Sequence, residues 1–369
     1  MKPKMEQDSN THASKGAGWS FDAAAVSDLA STSARVAAAI TVDAINYLIG
    51  LDIDSRSLWR IEATANPVLV AKKNALFAAM ERRIMLIDSA TGTIETVREI
   101  DPPLGGWTKS NTLFLGDDLL TVDATGLLLL AGENLETKWR SPLDLDRNDT
   151  IQQLTHGQPW IAAISNERMM LVSEQGALQW QRDLPQGTRF AGTYPLVFAR
   201  DRLLLGLART GTPVARFICE LSLHNGELGT ETNVDDLAMF CPAHVFEDVL
   251  VLDTSNGLAG FNIAGPLQRV WSIDAPATTG ACVAADRYLL VSAWQGTLLR
   301  VAVADGKSEV LFELPRKRTL VPPAPNLDST SHIESVGVIE HLAEMPGGIV
   351  FSVTWSKDRA VIQFIFSHG

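Results

Sequence analysis

The sequence contains few cysteines and none in a paired motif. The three are Cys219, Cys241 and Cys282, an odd number at wide spacing, with no Cys-x-x-Cys. A disulfide framework is therefore not expected, and a reducing compartment fits the cysteine content better. We expect a cytoplasmic protein, with a mature periplasmic protein whose signal peptide has been removed as the alternative.

Long hydrophobic runs are also missing. No stretch reaches the roughly 18 apolar residues that mark a membrane-spanning helix. Residues 1–18 are polar and lack the apolar centre of a signal peptide. The sequence therefore predicts no membrane span. It predicts a disordered polar tail over residues 1–17, followed by a single domain over residues 18–369.

The chain has no excess of positive charge. It contains 31 Lys and Arg against 43 Asp and Glu, which gives a formal net charge of −12. Binding to nucleic-acid phosphates or to anionic lipid depends on basic side chains that release counterions. We therefore expect no nucleic-acid partner.

Sequence motifs of catalysis are absent. There is no Gly-x-Ser-x-Gly, no Gly-rich phosphate loop, and no His-x-x-x-His among the seven histidines. Residues 144–149 alternate oxygen ligands like a calcium loop, but Asp149 and Thr155 stand where glycine and glutamate are required, so we interpret them as a solvated loop. Cys241 and His244 are three residues apart without a second pair nearby. We predict no enzyme activity, no cofactor and no metal site.

What the sequence does contain is a repeated unit, best seen in residues 75–100. Three short apolar runs are separated by turns, and the turn at residues 88–92 begins with Asp88 and ends with Gly92. The aspartate side chain caps the turn, and glycine accepts a left-handed backbone conformation. Three strands alone have open edges and marginal stability, so the unit requires neighbours.

The unit recurs along the whole chain. A Trp or another large apolar residue marks the end of each copy, at intervals of roughly 40 to 45 residues, which is typical of a propeller blade with four strands. These landmarks are Trp19, Trp59, Val97, Trp139, Trp180, residues 228–230, Trp271 and Leu311. We expect the tryptophans to pack between neighbouring blades rather than to form a binding stripe.

Eight apolar segments match the third strand of the unit. They are residues 46–52, 84–88, 127–132, 169–173, 217–221, 259–263, 298–303 and 361–366. The eighth lacks a fourth strand, whereas residues 18–22 are a spare one that resembles residues 270–274. The sequence therefore predicts an all-β fold, a single closed β-propeller of eight four-stranded blades whose last blade is completed by an N-terminal strand. Seven blades are the alternative if that match is accidental.

Two segments interrupt the repeat, and we predict loop insertions at residues 225–244 and 315–335. The first contains an acidic stretch at residues 231–236. The second begins with Arg316, Lys317 and Arg318 and continues with Pro322, Pro323 and Pro325. Prolines disfavour both helix and strand, so we interpret it as a surface loop over one face of the ring. Insertions in repeat proteins often lie on the binding face.

The units resemble the pyrroloquinoline-quinone-type (PQQ-like) propeller repeat. The residues that match are Asp88, the Thr91-Gly92 pair and the Trp-containing strand around Trp59. This resemblance implies either a quinone-dependent dehydrogenase or a non-catalytic scaffold, such as the outer-membrane assembly lipoproteins of the BamB type. The dehydrogenases carry adjacent cysteines, and the lipoproteins carry a lipidated cysteine near the N-terminus. Neither feature is present, since the first cysteine is Cys219.

We therefore expect a monomeric, non-catalytic scaffold that binds another protein through a ring face and the 315–335 insertion. The candidate partner-binding residues are Arg316, Lys317, Arg318, Pro322, Pro323 and Pro325. A solvated charge group is the alternative interpretation of the three basic residues. The alternative functions are a small-ligand sensor that uses the central funnel and an oxidoreductase that uses a quinone or a metal.

Overall fold

The fold was analysed in a computed structural model. It describes residues 17–33, 35–52, 57–145, 149–190, 195–211, 214–234, 236–238, 243–274, 278–285, 287–293, 296–314, 317–321, 331–335, 338–345, 348–356 and 359–366. These residues form 35 β-strands and one short 3₁₀ helix, arranged as eight antiparallel sheets and one separate hairpin.

The first four blades follow β1 (Ala17–Ala23) in chain order. Blade 1 contains β2 (Ala25–Ser31), β3 (Val36–Val42), β4 (Ile45–Leu51) and β5 (Ser57–Ala63). Blade 2 contains β6 (Val68–Lys72), β7 (Ala75–Met80), β8 (Arg83–Asp88) and β9 (Ile94–Glu99). Blade 3 contains β10 (Leu113–Leu115), β11 (Asp118–Asp123), β12 (Gly126–Leu130) and β13 (Thr137–Pro142). Blade 4 contains β14 (Ile151–Gly157), β15 (Trp160–Ser165), β16 (Arg168–Ser173) and β17 (Leu178–Asp183).

The remaining blades repeat the pattern. Blade 5 has two short first strands, β18 (Thr188–Arg189) and β19 (Leu196–Ala199), then β20 (Arg202–Arg209), β21 (Ala215–Leu221) and β22 (Leu228–Asn233). Blade 6 contains β23 (His244–Phe246), β24 (Val249–Thr254), β25 (Gly257–Asn262) and β26 (Gln268–Asp274). Blade 7 contains β27 (Thr278–Ala285), β28 (Tyr288–Ala293), β29 (Thr297–Ala302) and β30 (Ser308–Glu313). The hairpin β31 (Lys317–Val321) and β32 (Ser331–Ser335) precedes blade 8, which contains β33 (Val338–Met345), β34 (Gly348–Ser356) and β35 (Arg359–Phe366).

The ring closes through the N-terminal strand. Strand β1 pairs antiparallel with β35 as the outer strand of blade 8, with Trp19 opposite Phe364 and Phe21 opposite Ile362. Inner strands of blades 8 and 1, β33 and β2, contact each other as other neighbouring inner strands do. The prediction of eight blades, with the last one completed by an N-terminal strand, is confirmed. The alternative of seven blades is excluded.

Burial follows position within a blade. Middle strands such as β12 are buried along their whole length because each blade is covered on both faces by its neighbours. Outer strands such as β9 alternate between exposed and half-buried residues. Continuous apolar runs at the third strand therefore predict the buried middle of a blade, and all eight predicted third strands are found as β4, β8, β12, β16, β21, β25, β29 and β35.

The two predicted insertions differ from plain loops. Residues 228–233 of the first are strand β22, the outer strand of blade 5, so the extra chain begins only after Asn233. The second was expected to avoid strand because of its prolines. Its arms nevertheless pair as β31 and β32, since Pro322, Pro323 and Pro325 all lie between the two strands. These prolines, Arg316 and the predicted disordered tail up to residue 16 lie outside the described residues.

A single 3₁₀ turn replaces part of the inner strand of blade 3. It spans Lys109–Asn111, and the Thr108 hydroxyl accepts a hydrogen bond from the Asn111 amide at its start. Within the described part of the chain, no helix is long and apolar enough to span a bilayer.

Removal of β1 is expected to open the ring. Deleting residues 1–23 exposes the edge of β35, so we expect Tm to fall by about 10 °C or more, with concentration-dependent association. Deleting residues 1–16 keeps β1 and is the matched control, expected to melt like the full chain. Thermal unfolding and light scattering measure both effects. Identical Tm values for the two deletions would contradict closure by β1.

Candidate functional site

The structure describes two of the six sequence-predicted site residues, Lys317 and Arg318. Lys317 and Arg318 lie at the start of strand β31, where their backbones pair with Ser335 and Glu334. Arg316, Pro322, Pro323 and Pro325 lie outside the described residues. The hairpin that carries the two basic residues belongs to none of the eight blades.

Four tryptophans, Trp59, Trp139, Trp180 and Trp271, lie between blades, as expected. At four interfaces the indole Nε1 of an outer-strand Trp donates a hydrogen bond to a backbone carbonyl in the turn after the third strand of the next blade. The pairs are Trp59 with Ser89 O (2.9 Å), Trp139 with Glu174 O (2.9 Å), Trp180 with Leu223 O (3.0 Å) and Trp271 with Val303 O (2.8 Å). These hydrogen bonds fix each blade against its neighbour.

Close packing explains the glycines that surround Trp59. A Cβ atom on Gly92, in the turn of blade 2, would lie 2.4 Å from Trp59 Cγ. A Cβ atom on Gly50, opposite Trp59 in blade 1, would lie 2.2 Å from Trp59 Cε2. Gly92 also has a φ of +71°, which glycine adopts without strain. The indole is therefore held between two backbones.

Asp88 stabilises the same turn. Its Oδ1 atom accepts hydrogen bonds from the amides of Ala90 (2.9 Å) and Thr91 (2.8 Å) and from the Thr91 hydroxyl (3.0 Å). The backbone and side-chain hydrogen bonds from Thr91 lower the pKa of Asp88 below its usual value. The carboxylate is thus engaged in the turn and is unsuited to act as a general base.

Strand register corrects one of the landmarks. The docking Trp of a blade pairs with the third-strand residue immediately before a β-bulge, as Trp139 does with Leu129. In blade 2 that partner is Thr96, opposite Leu86, whereas Val97 pairs with Met85. Val97 is exposed. Thr96, and not the predicted Val97, therefore occupies the Trp position, because adjacent strand residues point to opposite faces.

The interface between blades 2 and 3 is packed by different residues. Leu135 has the left-handed conformation (φ +58°) that Gly92 has one blade earlier, and its side chain is fully buried. Arg98 spans the interface, donating from Nη1 to Leu135 O and from Nη2 to Thr137 Oγ1, both at 2.7 Å. A leucine side chain and an arginine thus take the place of the Trp–Gly contact.

The interface between blades 5 and 6 contains a groove. Thr230 is four residues after Gly226, as Trp180 is four residues after Gly176, and so takes the position of the docking Trp in blade 5. A cavity of about 310 Å³ opens beside it. Its lining comes from one blade-5 surface and the blade-6 turn, and consists of Arg202, Leu204, Ile218, Cys219, Glu220, Thr230, Thr232, Gly265, Pro266 and Leu267. We call this cavity the blade 5–6 groove.

Arg202 crosses the mouth of the groove. Its Nη1 donates to Ile263 O (3.1 Å) and to Gly265 O (2.7 Å), while Nε donates to Glu220 Oε2 (2.8 Å). Ile263 corresponds to Ser89 of blade 2, since the amides of both bond the turn between strands one and two. Arg202 therefore supplies a hydrogen bond that an indole supplies at four other interfaces. Sequence inspection missed this residue because it lies on the second strand, far from the Trp position.

The groove holds no activated nucleophile. Burial raises the pKa of the Cys219 thiol to about 12, and the nearby Glu231 carboxylate acts in the same direction. The thiol therefore stays protonated at neutral pH, whereas reactive cysteines are thiolates. Shape and hydrogen bonding, rather than covalent chemistry, describe what the groove offers.

Polar side chains also gather on the inner strands, which face the central channel. Asp28 forms an ion pair with Lys109 Nζ (2.5 Å) and accepts hydrogen bonds from the Leu69 amide (2.8 Å) and from its neighbouring Leu29 amide (2.7 Å). It thereby connects blades 1 and 2 with the 3₁₀ turn before blade 3. His341 of blade 8 lies in the field of Asp28 and Lys109, and burial lowers its pKa.

The cysteine–histidine expectation changes in the structure. Cys241 lies outside the described residues, and His244 instead contacts Cys282 of the next inner strand, with Nε2 to Sγ at 2.9 Å. Among the described residues, no group of three or more His, Cys, Asp or Glu side chains is arranged to hold a metal ion. Asp149 of the calcium-like segment is buried rather than solvated, and it accepts from Ser165 Oγ (2.6 Å) and the Asn166 amide (3.0 Å).

Comparison with known proteins identifies the fold. No family model matches the chain, and no curated protein matches it. The computationally designed Ika8 protein superposes with a TM-score of 0.60 at 11% identity, over 93% of this chain and 96% of that one. Quinohemoprotein alcohol dehydrogenase from Comamonas testosteroni gives 0.57 at 10% identity, over 95% and 76%. The WD40 domain of Toxoplasma gondii coronin gives 0.51 at 11%, over 75% and 84%.

The chain is a β-propeller. At these sequence identities the likeness extends to the fold alone, and activity must be argued from the residues of this chain.

The Trp59 contact is testable at Gly92. Gly92→Ala places a Cβ atom against Trp59 at a left-handed position, so we expect a loss of about 2 to 4 kcal/mol in the free energy of unfolding. Gly106→Ala is the control, since Gly106 has a φ of +82° with nothing within 4 Å of its Cβ position. It reports backbone strain alone, about 1 kcal/mol. Denaturant unfolding measures both, and equal losses would show that the Trp59 contact contributes nothing.

His341 predicts a pH dependence. Its pKa is lowered in the folded state, so the unfolded state binds more protons and stability falls as pH drops below about 6.5. His341→Gln removes this contribution and is expected to flatten the dependence of unfolding free energy between pH 7.5 and 5.5. His224→Gln, at an exposed histidine, is expected to keep the wild-type slope. An unchanged slope in the His341 variant would contradict the assignment.

Proposed function

We propose that this propeller is a non-catalytic scaffold that binds another protein through one ring face and the hairpin β31–β32. The observation that carries the proposal is that this hairpin is an extra two-stranded sheet outside the blades. Blades 7 and 8 each have four strands without it. Structure that the ring does not require for closure is available for contact with a partner.

Charge indicates the kind of partner. Arg316, Lys317 and Arg318 are consecutive in the sequence of a chain of net charge −12, and Lys317 and Arg318 begin strand β31 of the hairpin. A local basic patch on an acidic protein favours a partner surface rich in Asp and Glu, because complementary potentials speed association and disfavour wrong partners. Within this proposal the protein is a cytoplasmic monomer and its partner is an acidic protein surface.

Four aspartates whose pKa values are lowered support a structural role. Asp88 caps its turn, and Asp305 accepts from the Lys307 amide and pairs with its ammonium. Asp236 pairs with Arg269, and Asp117 pairs with Lys73, and each pairing lowers the pKa of the aspartate. Catalytic sites concentrate altered pKa values in a cleft, whereas these lie on separate turns and strand ends.

The repeat supports a relation to the PQQ-like scaffolds. The Asp88 turn, Gly92 and the docked Trp59 are the three features of the resemblance, and they act together at one interface. We propose that the chain uses this repeat as the BamB-type propellers do, as a rigid body that presents binding surfaces, without a bound quinone.

A charge-matched pair of variants tests the proposal. Lys317→Ala/Arg318→Ala removes two charges from the hairpin, and we expect at least a tenfold loss of partner recovery in affinity purification from the native host. Arg82→Ala/Arg83→Ala removes two charges from an exposed turn of blade 2 and is the control, expected to retain the partners. Quantitative mass spectrometry compares the partner proteins recovered with the two variants.

Two results would contradict the proposal. Undiminished recovery of every partner by the hairpin variant would place binding elsewhere. Equal losses in the two variants would indicate a general effect of charge. Circular dichroism confirms that both variants keep the fold of the wild type.

A further inference from the structure

We propose that the blade 5–6 groove is a docking site for an aromatic side chain, tryptophan above all, supplied by a partner protein. The groove is distinct from the hairpin, and the inference rests on the proposed function only in that the partner is a protein. Equivalent positions at other blade interfaces indicate which ligand the groove accepts.

The repeat itself shows what the groove accommodates. At four other interfaces an indole lies between the outer strand of one blade and the following turn of the next, with Nε1 bonded to a turn carbonyl. Thr230 stands at that position in blade 5, so the space opens instead as a cavity of about 310 Å³. Concave binding sites in proteins begin at about 300 Å³. One aromatic side chain is therefore of the right size.

The walls of the groove suit an aromatic ring. Leu204 and Ile218 contribute apolar surface from neighbouring strands of blade 5, and Pro266 and Leu267 contribute it from the blade-6 turn. Leu204 and Ile218 are almost completely buried, so they form a fixed floor. Burial of an aromatic side chain removes about 150 to 250 Å² from water, which supplies most of the affinity of such a contact.

The mouth of the groove offers polar contacts in addition. The Arg202 guanidinium is held in place by three hydrogen bonds, to Glu220 and to two carbonyls. A fixed guanidinium beside an apolar groove can stack on an entering ring. The Thr230 hydroxyl and the Glu220 carboxylate are acceptors that an indole N–H can reach, since the Ile263 carbonyl already accepts from Arg202.

Stacking of this kind already recurs within the ring. The guanidinium carbon of Arg209 lies 4.4 Å from the centroid of Phe217, that of Arg269 lies 5.2 Å from Phe261, and that of Arg300 lies 5.1 Å from Tyr288. Arginine over an aromatic ring is therefore a frequent contact on these blades, and an aromatic occupant would give Arg202 the same contact.

The interface between blades 2 and 3 is filled by side chains of the chain itself. That interface also lacks a docking Trp, since Thr96 holds the position. There the Leu135 side chain is buried in the core and Arg98 spans the gap. At the blade 5–6 interface the turn carries Gly265 and Pro266, and the space is open.

The first experiment measures occupancy with a small probe. Binding of 5-fluoroindole to the full chain is followed by fluorine NMR, and binding to the wild type is expected in the millimolar range. Thr230→Trp fills the groove from within, so we expect at least a tenfold weaker interaction and an unchanged or higher Tm. Val97→Trp adds an indole at an exposed position of blade 2 and is the control, expected to bind like the wild type.

A second measurement does not depend on the folding of a variant. Methyl NMR of the wild type with 5-fluoroindole is expected to shift the signals of Leu204, Ile218 and Leu267. Absence of binding, shifts confined to other methyl groups, or equal binding by a folded Thr230→Trp variant would each overturn the proposal.

A third experiment tests whether the aromatic group comes from a protein. Random peptides displayed on phage are selected on the wild type, with Thr230→Trp protein as the counter-selection. Enrichment of one aromatic residue at a fixed position is expected, and its replacement by Ala should abolish binding. Probe binding without such enrichment would overturn the protein source and leave a free aromatic compound as the ligand.

The two proposals fail independently. A hairpin variant that keeps every partner leaves these experiments on the groove unaffected, because they use purified protein. Conversely, an empty groove has no bearing on partner recovery through Lys317 and Arg318.

Discussion

Four interfaces of the ring depend on one contact, the docking of an outer-strand tryptophan of one blade on the turn of the next. Each of the four indoles packs against a turn glycine of the next blade and donates one hydrogen bond to a carbonyl there. Such a hydrogen bond contributes about 0.5 to 1.5 kcal/mol, and burial of the ring contributes more. Glycine at the receiving turn and a short capping side chain such as Asp88 follow from this contact, because both bring the turn within reach of the ring.

Much of the fold was predictable from the sequence, for a physical reason. A strand covered on both faces must be apolar throughout, so the eight third strands appear as continuous apolar runs. The docking tryptophans appear at regular intervals because each packs on the equivalent turn of the next blade. Prediction was wrong by one residue at Val97, because it followed residue size and not the spacing of four residues from the turn glycine, which Thr96 has from Gly92 as Trp180 has from Gly176. The hairpin arms were not predicted because prolines disfavour strand, whereas all three prolines lie between the two paired segments in sequence.

The candidate site was less predictable. The hairpin could be located because it interrupts the repeat, although nothing in the sequence showed that its arms pair. The blade 5–6 groove is present because Thr230 holds the position that Trp holds in four other blades. Arg202, from another strand, donates the hydrogen bond that the indole donates elsewhere. The sequence repeat shows which blade lacks a Trp at the docking position. The repeat does not show whether the space that an indole would fill is occupied by other side chains, as near Leu135, or is open.

Closure by β1 has a consequence for how the protein forms during synthesis. Blade 8 joins strands from opposite ends of the described chain, so it cannot assemble until β35 has left the ribosome. Among the described residues, the contacts between β1 and β35 have the largest sequence separation, and contacts between distant residues slow folding. Until then blades 1 to 7 alone can be complete, and an array of these blades has two open ends. A circular permutant that joined β35 directly to β1 would make the closing strand local in sequence and transfer this late step to whichever blade contained the new termini.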